Sequence, residues 1–436
     1  MRIDPLALRR FAGNEDDWNL PDDPPGACHL FGMGGGGAPA QAAQQQNNIF
    51  AQNLMIRHWW TDGGGPLNPM FPPALNMWQQ VPVNPGTLAP GSVVTTPLRN
   101  VGLHKRYLIR VTGTVTAPAG QAQTLGPLGL PALISNVTFT DLSNYQRINT
   151  PGWHLHWLSS AKRRRVFGAA YTTDTPCQMG DNFTTVMQAP ATIGAGASGN
   201  FQFQLEVPVA YDDKDLTGAI FCDVVQASLQ LAFTFNPQMF AVAGADPTFA
   251  LYQSAGATAA TLSNVVVSVY INYLDQGPRG QNNVPILPPL DTSSGYLLNN
   301  SVSPGAPVVN ADNTFAFTNS RRFLSVFFTY DNAGTLNVGS DITRVRLQSA
   351  NLTNITDEDP FIVAFKGRNI IGADLPKGTY YQDYRHRPVD TTQNGNMQLD
   401  IVPSSVGGAS AAIFLFWESI GVIGIVNQGG ASPSGA

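Results

Sequence analysis

Beyond residue 90 apolar side chains recur at every second position. Tyr107, Ile109, Val111 and Val115 alternate with Leu108, Arg110, Thr112 and Thr114, and Phe201, Phe203, Leu205, Val207 and Val209 alternate with Gln202, Gln204, Glu206 and Pro208. Leu229, Leu231, Phe233 and Phe235 repeat the pattern, as do Val265, Val267, Val269, Ile271 and Tyr273. Successive side chains of a strand point to opposite faces, so this period predicts half-buried antiparallel strands. A Pro-rich joint, Val284 to Pro289, interrupts the series. Strands are then predicted at Phe315–Phe317, Phe323–Tyr330, Ile342–Leu347, Phe361–Phe365, Thr379–Tyr384, Met397–Ile401 and Ile413–Trp417. The densest apolar tract, Ala411 to Val426, is too short for a membrane span and is interrupted by Glu418 and Ser419. In it Ile413, Leu415 and Trp417 alternate with Phe414, Phe416 and Glu418, which predicts a core strand buried on both faces.

The first 85 residues follow other rules. Residues 13–39 mix acidic, Pro and Gly clusters with little to pack, which predicts a segment that is mobile or ordered only by its neighbours. From Ala40 to Trp60 the chain is rich in Ala, Gln, Leu and Met, good helix formers, and Gly63 to Pro73 ends that stretch. Ile49, Phe50, Leu54, Met55, Ile56, Trp59 and Trp60 wrap most of the way round such a helix. A helix apolar on several sides needs a protein or lipid partner. The reading is therefore an arm (1–85) followed by two all-β domains (86–285 and 286–436) built as sandwiches or jelly rolls. No short repeat supports a propeller.

Composition changes the picture in one respect. Only 12% of the 436 residues are charged, against about a quarter in an ordinary soluble protein. With 43 Gly, 33 Pro and 10% aromatics, such a chain is expected to hide much of its surface against copies of itself, as a building block rather than an enzyme. A net charge of -5 gives no general electrostatic reason to bind nucleic acid. Cys28, Cys177 and Cys222 are odd in number and unpatterned, so neither a disulfide framework nor a zinc site follows, and assembly in a reducing cytosol is expected. Residues 1–10 lack the apolar segment of a signal peptide.

Candidate chemistry is thin. Gly32 to Gly37 matches G-x-G-x-x-G, but Pro24-Pro25-Gly26 precedes it where a strand should, so it reads as a hinge. His154 and His156, flanked by Trp153 and Trp157, would share one face of a strand, yet no third ligand stands at a suitable spacing, and packing is the expected role. Asp212-Asp213-Lys214-Asp215 and Asp357-Glu358-Asp359 lack the ligand order of a calcium loop and read as turns. Asn136, Asn182 and Asn351 open glycosylation-type triplets in a chain without a secretory signal and read as chance matches. The one basic run, Lys162-Arg163-Arg164-Arg165, reads as a solvated face or as a contact for an anion, either acidic lipid head groups or a carboxylate patch on a neighbouring subunit.

Several blocks, in order, resemble one family. They are Gly152-Trp153-His154-Leu155-His156, Ala189-Pro190-Ala191-Thr192-Ile193, Val207-Pro208-Val209-Ala210-Tyr211, Asp215-Leu216-Thr217-Gly218-Ala219, Tyr273-Leu274-Asp275-Gln276 and Pro376-Lys377-Gly378-Thr379-Tyr380-Tyr381. Over most of the chain after residue 90, the sequence resembles the double jelly-roll major capsid proteins of tectiviruses, icosahedral phages with a membrane inside the protein shell. Residues 1–38 depart from it, being longer and richer in Gly than the family's usual arm. The resemblance implies two tandem eight-stranded jelly rolls with an N-terminal helical arm, and three chains in a pseudo-hexagonal capsomer. It implies no catalytic site, no cofactor and no direct contact with nucleic acid. The implied partners are other copies of the chain, minor capsid and vertex proteins, and internal membrane lipids met by the arm, in a virion assembled in the bacterial cytoplasm. The competing class is a carbohydrate-binding or adhesive β-sandwich, which should be exported and monomeric.

Overall fold

The computed structural model describes residues 75–422, apart from 84–87, 143, 163–186, 213–215, 223–228, 276–293, 319, 337–340, 350–353, 372–377, 386–388 and 392–395. The arm helix, the Gly32–Gly37 hinge and the Pro-rich joint lie outside the described residues.

The period-two segments fold as read. The strands of the first half are β1 (Leu75–Val81), β2 (Val93–Pro97), β3 (Leu103–Thr116), β4 (Ile134–Thr140), β5 (Gln146–Thr150), β6 (Ser198–Pro208), β7 (Gln230–Phe235) and β8 (Thr261–Asp275). They form two layers in the orders β1-β8-β3-β6 and β2-β7-β4-β5, a jelly roll. Tyr107, Ile109, Val111, Phe203, Leu205, Val269 and Ile271 fill the space between the layers, while their alternating neighbours stay outside. A smaller sheet, drawn from residues 123–125, 192–193, 240–241 and 252–254, packs onto this core through Tyr252 and Ile193.

The second half repeats the arrangement. Its strands are β9 (Ser294–Val302), β10 (Asn313–Ala316), β11 (Arg321–Asp331), β12 (Ile342–Ser349), β13 (Asn354–Glu358), β14 (Thr379–Asp383), β15 (Met397–Pro403) and β16 (Ala412–Val422). Their layers run β9-β16-β11-β14 and β10-β15-β12-β13, the same order of strands in the same roles. The two jelly rolls share a sheet, because β5 pairs in parallel with β9 through Ile148 with Leu298 and Asn149 with Asn299.

Strand β16 is covered on both faces, as its alternation predicts. Ile413, Leu415 and Trp417 enter the second core, whereas Phe416 belongs to the first and Phe414 packs against it. Glu418 and Ser419 do not break the strand.

Two stretches expected to be extended are helical. Trp153–Trp157 lies in α1 (Gly152–Lys162) and Phe361–Phe365 lies in α2 (Pro360–Ile371). In each, apolar residues stand at i and i+4, which share a helix face. The Asp359 carboxylate accepts the Phe361 N–H at 2.7 Å and Pro360 occupies the first turn, a strong helix start. As helix neighbours two apart, His154 and His156 point in different directions and cannot share one face. The His154 ring stacks on Phe416 at 4.5 Å, and that of His156 tilts against Phe203 at 6.3 Å.

Candidate functional site: the joint between the barrels

Helix α1 follows β5 and packs on β4 and β6 of its own barrel, with Leu155 and Leu158 buried. Its other side meets the outer face of the second barrel. Trp153 lies edge-on to Phe416 at 4.7 Å, His154 meets Phe416 and Phe327, and Trp157 tilts against Phe327 at 6.5 Å. Aromatic pairs at these separations add about 0.5–1.5 kcal/mol each beyond area burial. Burial without a second charge lowers the His154 pKa from 6.5 to about 3, so the ring is neutral, and its Nδ1 shares a 2.6 Å hydrogen bond with the Thr150 hydroxyl.

The last residue of α1 carries the charge of the joint. Lys162 Nζ lies 2.6 Å from Glu418 Oε1 on β16 and donates to the Tyr296 hydroxyl at 2.8 Å and the Tyr211 carbonyl at 2.9 Å. It also sits over the rings of Tyr211 and Tyr296, at 4.1 and 4.6 Å from their centroids. Glu418 is 1% exposed and accepts from the Ser325 hydroxyl at 2.5 Å and the Tyr296 hydroxyl at 2.7 Å. Burial pushes its carboxyl up, but the Lys162 ammonium and these hydrogen bonds together hold it below the ordinary range. An ion pair this deep is held by further hydrogen bonds, with both carboxylate oxygens accepting and the ammonium also donating to Tyr296 and Tyr211. Chemically the group can hold position and little else: both charges are spent on protein partners. Farther along the joint, Thr248 donates to Asp331 at 3.2 Å and Arg321 to the Tyr145 hydroxyl at 3.3 Å.

The residues singled out in the sequence fall unevenly on this geometry. Lys162 finds its carboxylate within its own chain. Arg163, Arg164 and Arg165, and Ile49, Phe50, Leu54, Met55, Ile56, Trp59 and Trp60, lie outside the described residues. So do Cys28 and Cys177, while Cys222 is buried. Asp359 starts α2, Asp357 pairs with Arg344 and Glu358 with Lys366. Among the described residues no three His, Cys, Asp or Glu side chains gather as a metal site, and no helix is long and apolar enough to cross a membrane. Glu418 went unrecognised because nothing local marks it: a lone acid inside an apolar strand is the only signal.

Two family models tile the chain in order. One, described as P3 major capsid protein N-terminal, matches residues 37–277, and the other, P3 major capsid protein C-terminal, matches 293–432. The chain belongs to the P3 major capsid protein family. Major capsid protein P3 of Enterobacteria phage PRD1 is 38% identical over 331 residues, spanning 75% of this chain and 83% of that relative. Among solved structures, the STIV MCP is similar with a TM-score of 0.55 at 10% identity, covering 82% of this chain and 99% of that one. A chain from the atomic structure of Sulfolobus Turreted Icosahedral Virus gives 0.51, also at 10% identity, over 80% and 90% of the two chains. These distant matches carry the fold alone, the double jelly roll. P3-family proteins are structural, not enzymes, and in this P3-family chain the shared sheet and the seat of α1 join the two barrels.

Proposed function

We propose that this major capsid protein forms homotrimers, pseudo-hexagonal blocks that tile an icosahedral shell around an internal membrane. The observation that carries this reading is the ordered pair of P3 matches laid over two tandem jelly rolls. Three such chains present six barrels, and the low charge content suits a surface covered by neighbours. On this reading the domains divide as 86–285 and 286–436, with β1 (Leu75–Val81), which pairs with β8, joining the first from the stretch read as arm. The remaining arm, 1–74, reaches lipid or neighbouring trimers through Ile49, Phe50, Leu54, Met55, Ile56, Trp59 and Trp60, the two Trp suiting a membrane–water boundary. The Arg163–Arg165 run faces an anion, minor capsid and vertex proteins complete the shell, and assembly takes place in the host cytoplasm without direct contact to nucleic acid.

Light scattering on the purified protein tests the core of this: the expected mass is three times 46.6 kDa, and a monomer at high concentration refutes it. Deleting residues 1–60 should leave folded trimers but abolish closed shells around vesicles. Normal membrane-containing particles from the truncated chain would show that the arm has no such role.

A further inference from the structure

Strand β11 carries polar contacts to the first half of the chain at intervals along its length. Arg321 opens the strand and donates to the Tyr145 hydroxyl, Ser325 donates to Glu418 beside Lys162, and Asp331 closes the strand against Thr248. In the first two places a charge meets a hydroxyl or an opposite charge. At the third it meets its own sign.

Asp331 is 2% exposed. Its Oδ1 accepts the Thr248 hydroxyl at 3.2 Å and, from the turn that follows β11, the Gly334 N–H at 3.0 Å. The backbone N–H of the same Thr248 donates to Asp246 Oδ1 at 2.8 Å. Thr248 thus holds one carboxyl group with its main chain and the other with its side chain, and the two carboxyls lie within hydrogen-bonding reach of each other. The loop bearing Asp246 also fits tightly on the turn: a Cβ on Gly334 would stand 3.4 Å from Asp246 Oδ1.

Two carboxyl groups share a hydrogen bond only when one of them carries a proton. Nothing around this pair removes that need. On β11, Tyr330 turns its hydroxyl to Asn332 and to the Ser405 carbonyl, and burial beside Asp341 and Asp331 pushes it up to about 12, so it stays neutral. Asp341, just before β12, accepts from the Ser405 hydroxyl of the β15–β16 loop at 3.0 Å. The charged groups gathered at this end of the joint are therefore Asp246, Asp331 and Asp341. Among the described residues no ammonium or guanidinium pairs with Asp246 or Asp331. Burial first, and then the Asp246 charge, push Asp331 from 3.8 up to about 6, against the downward pull of the Gly334 and Thr248 donors.

We propose that Asp246 and Asp331 form a proton-operated latch across the joint: with one proton between them the carboxyls bond the two halves of the chain together, and without it they repel and residues 242–250 part from the turn 332–336. Opening releases that one proton to water, and no covalent bond other than its O–H changes. The sign follows from the direction of the shift. Asp331 holds its proton more tightly closed than open, so the latch is strongest below about pH 4, weakens as pH rises to about 6, and stays at its weakest above that. This is the reverse of His154 and Glu418, whose contributions are lost on acidification.

Hydrogen exchange read by mass spectrometry tests the latch on the full-length protein, in EDTA so that no divalent cation replaces the proton. The opening of residues 242–250 and 332–336 is followed from pH 4.5 to 7.5 and corrected for intrinsic exchange rates. In the native chain it should rise by up to about tenfold per pH unit as far as about pH 6 and then level off. Asp331→Asn, whose amide can donate to Asp246 at every pH, should abolish the rise and keep both segments protected at pH 7.5. Asp246→Asn should flatten it as well, and because Asp246 is exposed this variant gives the answer even if the buried substitution misfolds. Native exchange that does not change with pH, or a rise that persists in Asp246→Asn, overturns the proposal. So does a rise shared equally by helix α1, which would mark general loosening rather than a latch.

Discussion

Replacing Lys162 with Met keeps the aliphatic stem over Tyr211 and Tyr296 but removes the ammonium that faces Glu418 across 2.6 Å. The Glu418 carboxylate is then left in a site 1% exposed, with only the Ser325 and Tyr296 hydroxyls for partners. Breaking a buried pair by deleting one partner costs about 3–5 kcal/mol. Spread over 436 residues with an unfolding entropy of about 2.1 cal/mol/K each, that loss lowers the thermal midpoint by about 3–5 °C. Changing Glu418 to Gln in the same chain removes the stranded charge, keeps a carbonyl acceptor for one of the two hydroxyls while the other can accept from the amide N–H, and should restore at least half of the loss. The pH dependence carries a sign of its own. In the native chain Glu418 has a folded pKa below its unfolded value, so its contribution is present above the unfolded pKa and is lost as pH falls through the folded one. In Lys162→Met, burial without the ammonium raises the folded pKa instead, so the variant binds a proton on acidification and its deficit shrinks from about pH 7 to about pH 4. Differential scanning fluorimetry across that range reads both effects. A Lys162→Met midpoint within 1 °C of native at neutral pH, or a double variant no better than the single, would refute the account of the joint.

Three further outcomes follow from other parts of the fold. Trp417→Ala empties a space bounded by Phe317 at 4.6 Å and Phe323 at 5.5 Å and should cost about 3–5 kcal/mol in chemical denaturation; an unchanged midpoint would misplace β16. Gly218 has φ +89°, and a Cβ there would lie 2.6 Å from Tyr296 Cβ and 2.8 Å from the Val209 carbonyl oxygen, so Gly218→Ala should destabilise by more than about 1 kcal/mol, against no loss if this turn could relax. His154 has a folded pKa of about 3 against 6.5, so the unfolded chain takes the proton first and stability falls as pH drops from 6.5 toward 3. His154→Phe should flatten that slope by about 1.4 kcal/mol per pH unit, measured by urea unfolding between pH 6 and 4, and an unaltered slope would place the ring elsewhere.

The strands were legible because each barrel buries one face of most of its strands, so the alternation survives in the sequence. The helices were not, and the reason is symmetrical. Trp153–Trp157 and Phe361–Phe365 are apolar on nearly every side, α1 because it is covered by both barrels, α2 because it also presents an outward apolar triplet. A short run apolar at every position fits either period. The decisive signals were at the starts: Pro151 before Gly152, and Asp359 with Pro360, which favour a first helical turn over a strand. The joint was hidden for a different reason. Lys162 and Glu418 meet only because two barrels far apart in sequence share one sheet, and no local pattern encodes that meeting.

That shared sheet has a kinetic consequence. The β5–β9 ladder and the seat of α1 join parts of one polypeptide, so they close at an effective concentration that dilution cannot lower, on the order of millimolar for a flexible tether. Contacts between separate chains enjoy no such advantage and weaken as protein becomes scarce. Early in synthesis, or after a particle breaks up, the first species to form and the last to be lost is therefore the single chain with its barrels already in register. Such a chain can be released and recruited again without rebuilding the joint.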